Sequence, residues 1–264
     1  MKRSNGRKTK KLLWIGIPIL VLLLLLLASL LYLETYYHAD ETAIAAFSVS
    51  RSAAERTLDN GDLVFDPGNA KIGLIFYPGG KVEHTAYVPL MRAISEKGVL
   101  CVLCKMPFRL AVFDVHAADA VRAEFPDIAH WYVGGHSLGG VIASTELSAH
   151  PGAYDGLILL GSYSTEDFSE SPIRALSIYG SEDRVLNRDQ YETNRKNLPE
   201  NAREIVIDGG CHAYFGMYGA QDGDGQPSIT NEEQIRITAK AILDWLNNGG
   251  TSGASADERS TKRK

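Results

Sequence analysis

Ser137 stands in Gly135-His136-Ser137-Leu138-Gly139, with Gly134 and Gly140 flanking the five. A serine hydroxyl is a weak nucleophile until a base takes its proton, so the pattern points to acyl chemistry only if an acid and a histidine serve it. The geometry that such chemistry needs is a strained turn between a strand and a helix, which lifts the hydroxyl clear of a sheet. Glycine two positions to either side removes the Cβ that would crowd the turn. The same residues would also suit an ordinary glycine-rich turn, so the neighbours decide. Trp131, Tyr132 and Val133 are strand formers leading in, and Leu138, Val141 and Ile142 leave at the spacing of a buried helix face. Two later segments offer partners: Gly180-Ser181-Glu182-Asp183-Arg184 and Asp208-Gly209-Gly210-Cys211-His212. A carboxylate on one ring nitrogen holds a histidine in the tautomer that accepts a proton at the other. Asp183 is the candidate acid, with Glu182 and Asp167 as alternatives, and His212 is the candidate base.

The elements that must position these residues follow from hydrophobic pattern. Strands are predicted at 63–65, 72–77, 99–105, from Trp131, and at 157–160, 175–179 and 204–207. Helices are predicted at 86–96, 111–125 and 230–246, the last with Ile235, Ile237, Ala241, Ile242 and Trp245 as its apolar positions. Strand and helix alternate with connections of a length that gives a mostly parallel sheet with helices on both faces. Ligands bind such sheets beyond the carboxyl ends of the strands. Ser137, Asp183 and His212 each follow a strand, and so does Pro78-Gly79-Gly80-Lys81. An oxyanion needs two backbone N–H groups. Leu138 offers one, and Gly80 is taken for the other, with Gly79 or Lys81 as alternatives. Between Leu160 and Ala175 there is no room for a cap domain, so an open site is expected.

Residues 1–11 carry Lys2, Arg3, Arg7, Lys8, Lys10 and Lys11 and no acid, and residues 12–33 are free of charge. As a helix those residues would span about 33 Å, enough for the ~30 Å hydrocarbon core of a bilayer. A cleaved signal peptide has an apolar run of only about 7–15 residues. Ala43-Ile44-Ala45, the best cleavage-like site, lies well past the run, so an uncleaved anchor with its basic end in the cytoplasm is expected. The chain holds 27 Lys and Arg against 32 Asp and Glu. With six of the bases in the leader, the remainder carries about −11, which speaks against nucleic acid as a partner. Residues 34–60 read as a juxtamembrane stalk or helix, 61–247 as one domain, and 248–264 as a polar, disordered tail.

No cofactor and no metal are expected. Cys101 and Cys104 form a C-x-x-C inside an apolar strand, where an offset of three points the side chains to opposite faces, as for core residues. Asp222-Gly223-Asp224-Gly225 hints at a calcium loop, but Gln226, Pro227 and Ser228 follow where the pattern needs further acids, so a glycine-rich surface turn is the better reading.

Gly134-Gly135-His136-Ser137-Leu138-Gly139-Gly140 and the segment from His212 to Gly225 resemble the α/β-hydrolase superfamily, and look closest to its small, lidless, dienelactone-hydrolase-like bacterial members. The resemblance covers about residues 63–246. It implies an α/β-hydrolase fold and a triad in the chain order Ser, Asp, His, an order that His38, His84, His116, His130, His136 and His150 all fail because they precede Asp183. It implies cleavage of a small-molecule carboxylic ester or related acyl bond. Ser, not Cys, at the nucleophile is a departure from dienelactone hydrolases proper and puts that substrate in doubt. Acyl transfer to a cell-envelope acceptor and a catalytically inactive binding scaffold are the alternatives.

Overall fold

The computed structural model describes residues 5–49 and 55–248. Short apolar runs, most of them ended by Gly, Pro or Asp, form eight strands of one sheet: β1 (Glu55–Thr57), β2 (Leu63–Phe65), β3 (Ile72–Tyr77), β4 (Val99–Leu103), β5 (His130–His136), β6 (Gly156–Leu160), β7 (Arg174–Gly180) and β8 (Arg203–Ile207). Across the sheet they run β1-β2-β4-β3-β5-β6-β7-β8. β2 pairs antiparallel with both β1 and β4, and every other pairing is parallel. The inner parallel strands β3 to β6 are buried on both sides, as continuous aliphatic strands require, while the edge strand β8 is largely exposed.

Successive side chains of a strand face opposite ways, and two cores result. Leu74 and Phe76 pack on one face with residues of α3 (Val88–Ser95) and α7 (Asn231–Asn248), including Leu90, Ile94, Ile242 and Trp245. Ile75 and Tyr77 pack on the other with Ala118 and Val121 of α4 (Ala117–Glu124) and Ala143 and Leu147 of α5 (Leu138–Ala149). Cys101 lies in the first core and Cys104 in the second, so the C-x-x-C is split by the sheet.

Three elements differ from expectation. The helix expected at 111–125 is broken into a 3-10 turn, Ala111–Phe113, and α4, with non-helical backbone at Asp114 between them. The Tyr77 hydroxyl causes the break: it donates to Val115 O at 2.8 Å and accepts the Ala118 N–H at 3.1 Å, taking backbone groups that a continuous helix would pair internally. The helix expected at 86–96 starts as a 3-10 turn, His84–Tyr87, before α3. A third, α6 (Arg188–Asn194), carried no sequence expectation of its own; the Asn187 side chain caps its Gln190 N–H at 3.0 Å. The helix α2 (Glu41–Val49) falls within the stretch 34–60 read as a stalk or helix.

Residues 37–57, within the stretch set apart as a juxtamembrane stalk or helix, supply α2 and β1 to the same unit as the sheet. Ala39 and Ala43 enter the first core, and Arg92 on α3 grips both carboxylate oxygens of Glu55 at 2.7 and 2.9 Å. Residues up to Tyr36 form a separate unit, α1 (Asn5–Glu34). Its stretch Trp14–Glu34 has a mean hydropathy of 2.8 and no buried residue, and is long and apolar enough to cross a membrane. The first four residues of the basic leader and the polar tail from 249 onward lie outside the described residues. No helix separates β6 from β7, so there is no cap.

Candidate active site

Ser137 sits between β5 and α5 with φ 52° and ψ −125°, a conformation that non-glycine residues rarely hold. A Cβ on Gly135 would lie 2.6 Å from Tyr77 O and 2.5 Å from the Gly139 carbonyl carbon, and one on Gly139 would strike Tyr77 O and Pro78 O. The crowding therefore comes from the end of β3 as much as from the strand and helix of the turn itself. The Ser137 N–H donates to Leu160 O at 2.9 Å and its carbonyl accepts the Ser162 hydroxyl at 2.7 Å, so β6 anchors the turn from the other side.

Asp183 and His212 are brought together from the ends of β7 and β8. His212 Nδ1 lies 2.8 Å from Asp183 Oδ2, and both side chains are fully buried. The other carboxylate oxygen accepts the N–H groups of Val185 at 3.0 Å and Leu186 at 2.8 Å, which fixes its direction. His212 Nε2 is buried and makes no hydrogen bond, with Ser137 or any other residue. No other group thus competes for the nitrogen that a nucleophile would use; hydrogen bonds of this kind commonly tighten only with substrate in place.

The alternatives for the acid sit elsewhere. Glu182 takes the Ser181 hydroxyl at 3.2 Å. Asp167 is exposed, holds the Ser169 N–H at 2.9 Å, and is lowered in pKa by that bond. It lines a cleft with Ile72, His130 and Arg174, at the strand beginnings, the opposite edge of the sheet from His212.

The loop after β3 reaches the same place. A Cβ on Gly80 would lie 3.0 Å from Leu138 Cδ2 and 3.3 Å from its Cβ, so the Leu138 side chain packs on Gly80. The Gly79 N–H is taken by the Tyr87 hydroxyl at 3.1 Å and the Lys81 N–H by Arg109 O at 2.8 Å. Among the described residues no hydrogen bond takes the Gly80 N–H, nor that of Leu138 at the start of α5, where the helix dipole favours negative charge. The Tyr87 hydroxyl, accepting from Gly79, also hydrogen-bonds His136 Nδ1 at 2.7 Å. Burial, and then the charge of His212, push the His136 pKa well below its ordinary value, so this ring is neutral where its centroid lies 4.5 Å from that of His212.

Sequence reasoning missed five residues that hold these loops. Gly161, at φ +50° just after β6, leaves the space of the acid–base pair: a Cβ there would lie 2.9 Å from His212 Nδ1 and 3.1 Å from Asp183 Oδ2. Asp224 ties the two partner loops, accepting the Ala213 N–H at 2.8 Å and the Arg184 N–H at 3.3 Å. The adjacent Gly225 passes so close to Glu182 O that no side chain fits. The segment read as a surface turn is thus a brace between the acid and base loops. Gln234, buried on α7, clamps Cys211 by both its N–H (2.9 Å) and its carbonyl (2.7 Å). Tyr87 carried no sequence signal, whereas Asp224 stands in a conspicuous Asp-Gly-Asp-Gly.

The arrangement can accept a proton at His212 Nε2 with the Asp183 carboxylate hydrogen-bonded behind the ring, and Ser137 stands at the N-terminus of α5. The sequence profile described as the Alpha/beta hydrolase family matches residues 73–236, more than half of the chain. No curated protein matches the sequence. Solved structures similar to this one include a dienelactone hydrolase from Anabaena variabilis, at TM-score 0.55 and 13% identity over 74% of this chain and 97% of that one. An esterase domain from a Rhodothermus marinus protein superposes at TM-score 0.55 and 11% identity, over 74% and 96%. A carboxylesterase from Mesorhizobium loti does so at TM-score 0.51 and 17% identity, over 74% and 99%. At these identities the likeness is one of fold.

Proposed function

The chain belongs to the alpha/beta hydrolase family, and from that premise we propose that it is a membrane-anchored serine hydrolase, with its catalytic domain outside the cytoplasm, that cleaves a carboxylic ester or related acyl bond. In this reading Ser137 attacks the acyl carbon while His212 Nε2 takes its proton. Asp183 holds the His212 tautomer and stabilises the imidazolium. The N–H groups of Leu138 and Gly80 hold the oxyanion. His212 returns the proton to the leaving alkoxide, the alcohol departs, and water repeats the sequence on the acyl-enzyme.

The observation that carries this reading is the buried 2.8 Å Asp183–His212 pair with His212 Nε2 unpartnered, its ring centroid 4.5 Å from that of His136, the residue before the strained Ser137. The apolar stretch Trp14–Glu34 and the bases before it support the anchor and its orientation. A fluorophosphonate probe tests the chemistry: it should label the full chain but not Ser137→Ala, and short-chain p-nitrophenyl esters should be turned over by the parent alone. An unlabelled, folded parent would make the domain a binding scaffold. Labelling with transfer to an added alcohol much faster than to water would make it an acyltransferase.

A further inference from the structure

We propose that His116, Asp119, Glu146 and His150 bind one divalent first-row transition ion, Zn2+ by chemistry, as a structural site at the far end of the helix that begins at Ser137. Each of the four offers one ligand atom, and these atoms lie within 4.8 Å of one another. His150 Nε2 stands 3.4 Å from Asp119 Oδ2, the separation of about 3.4 Å that tetrahedral bonds of ~2.1 Å to a common ion produce. His116 Nδ1 lies 2.7 Å from Glu146 Oε2 as a hydrogen bond, and an ion would take the place of the proton they share, releasing it. Two imidazoles and two carboxylates suit Zn2+; Ca2+ and Mg2+ prefer all-oxygen sets.

The surroundings are those of a ligand set held in place from behind. The His150 Nδ1 lies 3.1 Å from Glu146 Oε1 and 3.2 Å from the Glu146 backbone carbonyl, so donation there leaves the Nε2 lone pair turned to Asp119. The Tyr154 hydroxyl donates to Glu146 at 2.5 Å and Arg122 to Asp119 at 2.7 Å. Glu146 is fully buried, a costly place for a carboxylate, whereas His116 is exposed and Asp119 and His150 half-buried, which leaves an ion a way in. Four protein ligands close the coordination shell, so the ion's role is structural. It would join the start of α4 to the end of α5, and Val115 and Ala118, on either side of His116, are the two residues bound by the Tyr77 hydroxyl next to Pro78.

The full chain in detergent, stripped with EDTA and titrated with ZnCl2 alone, tests the proposal by calorimetry and thermal melting. One ion per chain should bind, and a hundredfold excess over Kd should raise Tm by about 5–10 °C. The His116→Ala/His150→Ala double variant should lose both effects, Asp119→Asn should weaken binding in a form expected to fold even if the double variant does not, and Tyr154→Phe should cost about 10–100-fold in affinity. A parent that binds no Zn2+, or binding undiminished in Asp119→Asn, overturns the site. Because fluorophosphonate labelling of Ser137 is scored separately, failure here leaves the hydrolase reading standing, and the reverse.

Discussion

At Ser137 a φ of 52° is tolerated because four neighbours hold it: glycine at 135 and 139 gives room, and Leu160 O and the Ser162 hydroxyl pin the backbone. Residues that act as one unit do not lose activity additively. Ser137→Ala and His212→Ala should each lower kcat by ~10⁴–10⁶ with little change in KM, and the double variant should be no worse than either. Asp183→Asn should cost ~10⁴ by favouring the other tautomer of His212. Glu182→Gln and Asp167→Asn should stay within a few fold, the first because its carboxylate faces Ser181 and the second because it lies at the other edge of the sheet. Steady-state kinetics decide, and loss of turnover in either control with Asp183→Asn unaffected would move the acid elsewhere. Asp224→Ala frees the N–H groups of Ala213 and Arg184 together. It should lower kcat by about tenfold, a ~1.4 kcal/mol effect, while leaving probe labelling detectable. An unchanged kcat would mean that the two loops hold their places without the brace.

Among the elements, the loop after β4 holds two successive non-glycine residues in strained backbone conformations. Phe108 and Arg109 both hold positive φ, 51° and 60°. That turn brings Arg109 O to the Lys81 N–H at 2.8 Å and Leu110 against Gly80, so the loop buttresses the segment proposed to hold the oxyanion. It also leaves Phe108, Val112 and Phe113 exposed, with the two rings edge to face at 5.5 Å. Exposed apolar side chains beside a proposed acyl site are suited to hold an acyl chain. Phe108→Ala with Phe113→Ala should therefore lower kcat/KM for a hexanoyl ester by about tenfold more than for an acetyl ester, with Tm little changed. Equal losses on a chain-length panel would assign the rings elsewhere. With no cap between β6 and β7, rates on soluble esters should not jump above a micellar threshold. A strong jump with long-chain triglyceride would show that some other segment closes over the site.

For the molecule as a whole, two predictions concern its surroundings. If α1 is an anchor with the basic leader inside, protease added to intact cells should digest the unit that begins at Tyr37; a protected domain with a cut N-terminus would reverse the orientation. The second is acid sensitivity. Burial first, and the Lys105 charge next, lower the His84 pKa from 6.5 to about 4, and burial and His212 push His136 down as well. A histidine with a depressed folded pKa takes up its proton more readily when unfolded, so stability is present above the unfolded value and is lost as pH falls. Tm should fall between about pH 6.5 and pH 4, and His84→Gln should flatten part of that fall. A profile identical to the parent's would remove His84 from the account.

What the sequence determined by itself was what depends on neighbours along the chain. Period-two and 3.6-residue patterns settle which segments become strands and helices, and strand ends bearing Ser137, Asp183, His212 and Pro78-Gly79-Gly80 are local features, because each strand carries its own turn residues at its end. Gly80 could not be told from Gly79 or Lys81 that way. Only the fold takes the other two N–H groups away, through Tyr87 and Arg109, which lie elsewhere in the chain. Likewise the 2.8 Å contact of Asp183 with His212, on which the proposal of Asp183 over Glu182 and Asp167 rests, spans 29 residues. The breaking of the helix expected at 111–125 follows from a tyrosine 38 residues from Val115. The His116, Asp119, Glu146, His150 cluster is two helical-spaced pairs, each ordinary in sequence, that meet only when α4 and α5 pack on one face of the sheet. Backbone hydrogen-bonding groups and side-chain lone pairs have no preference among distant partners until packing chooses one, and that choice belongs to the tertiary structure.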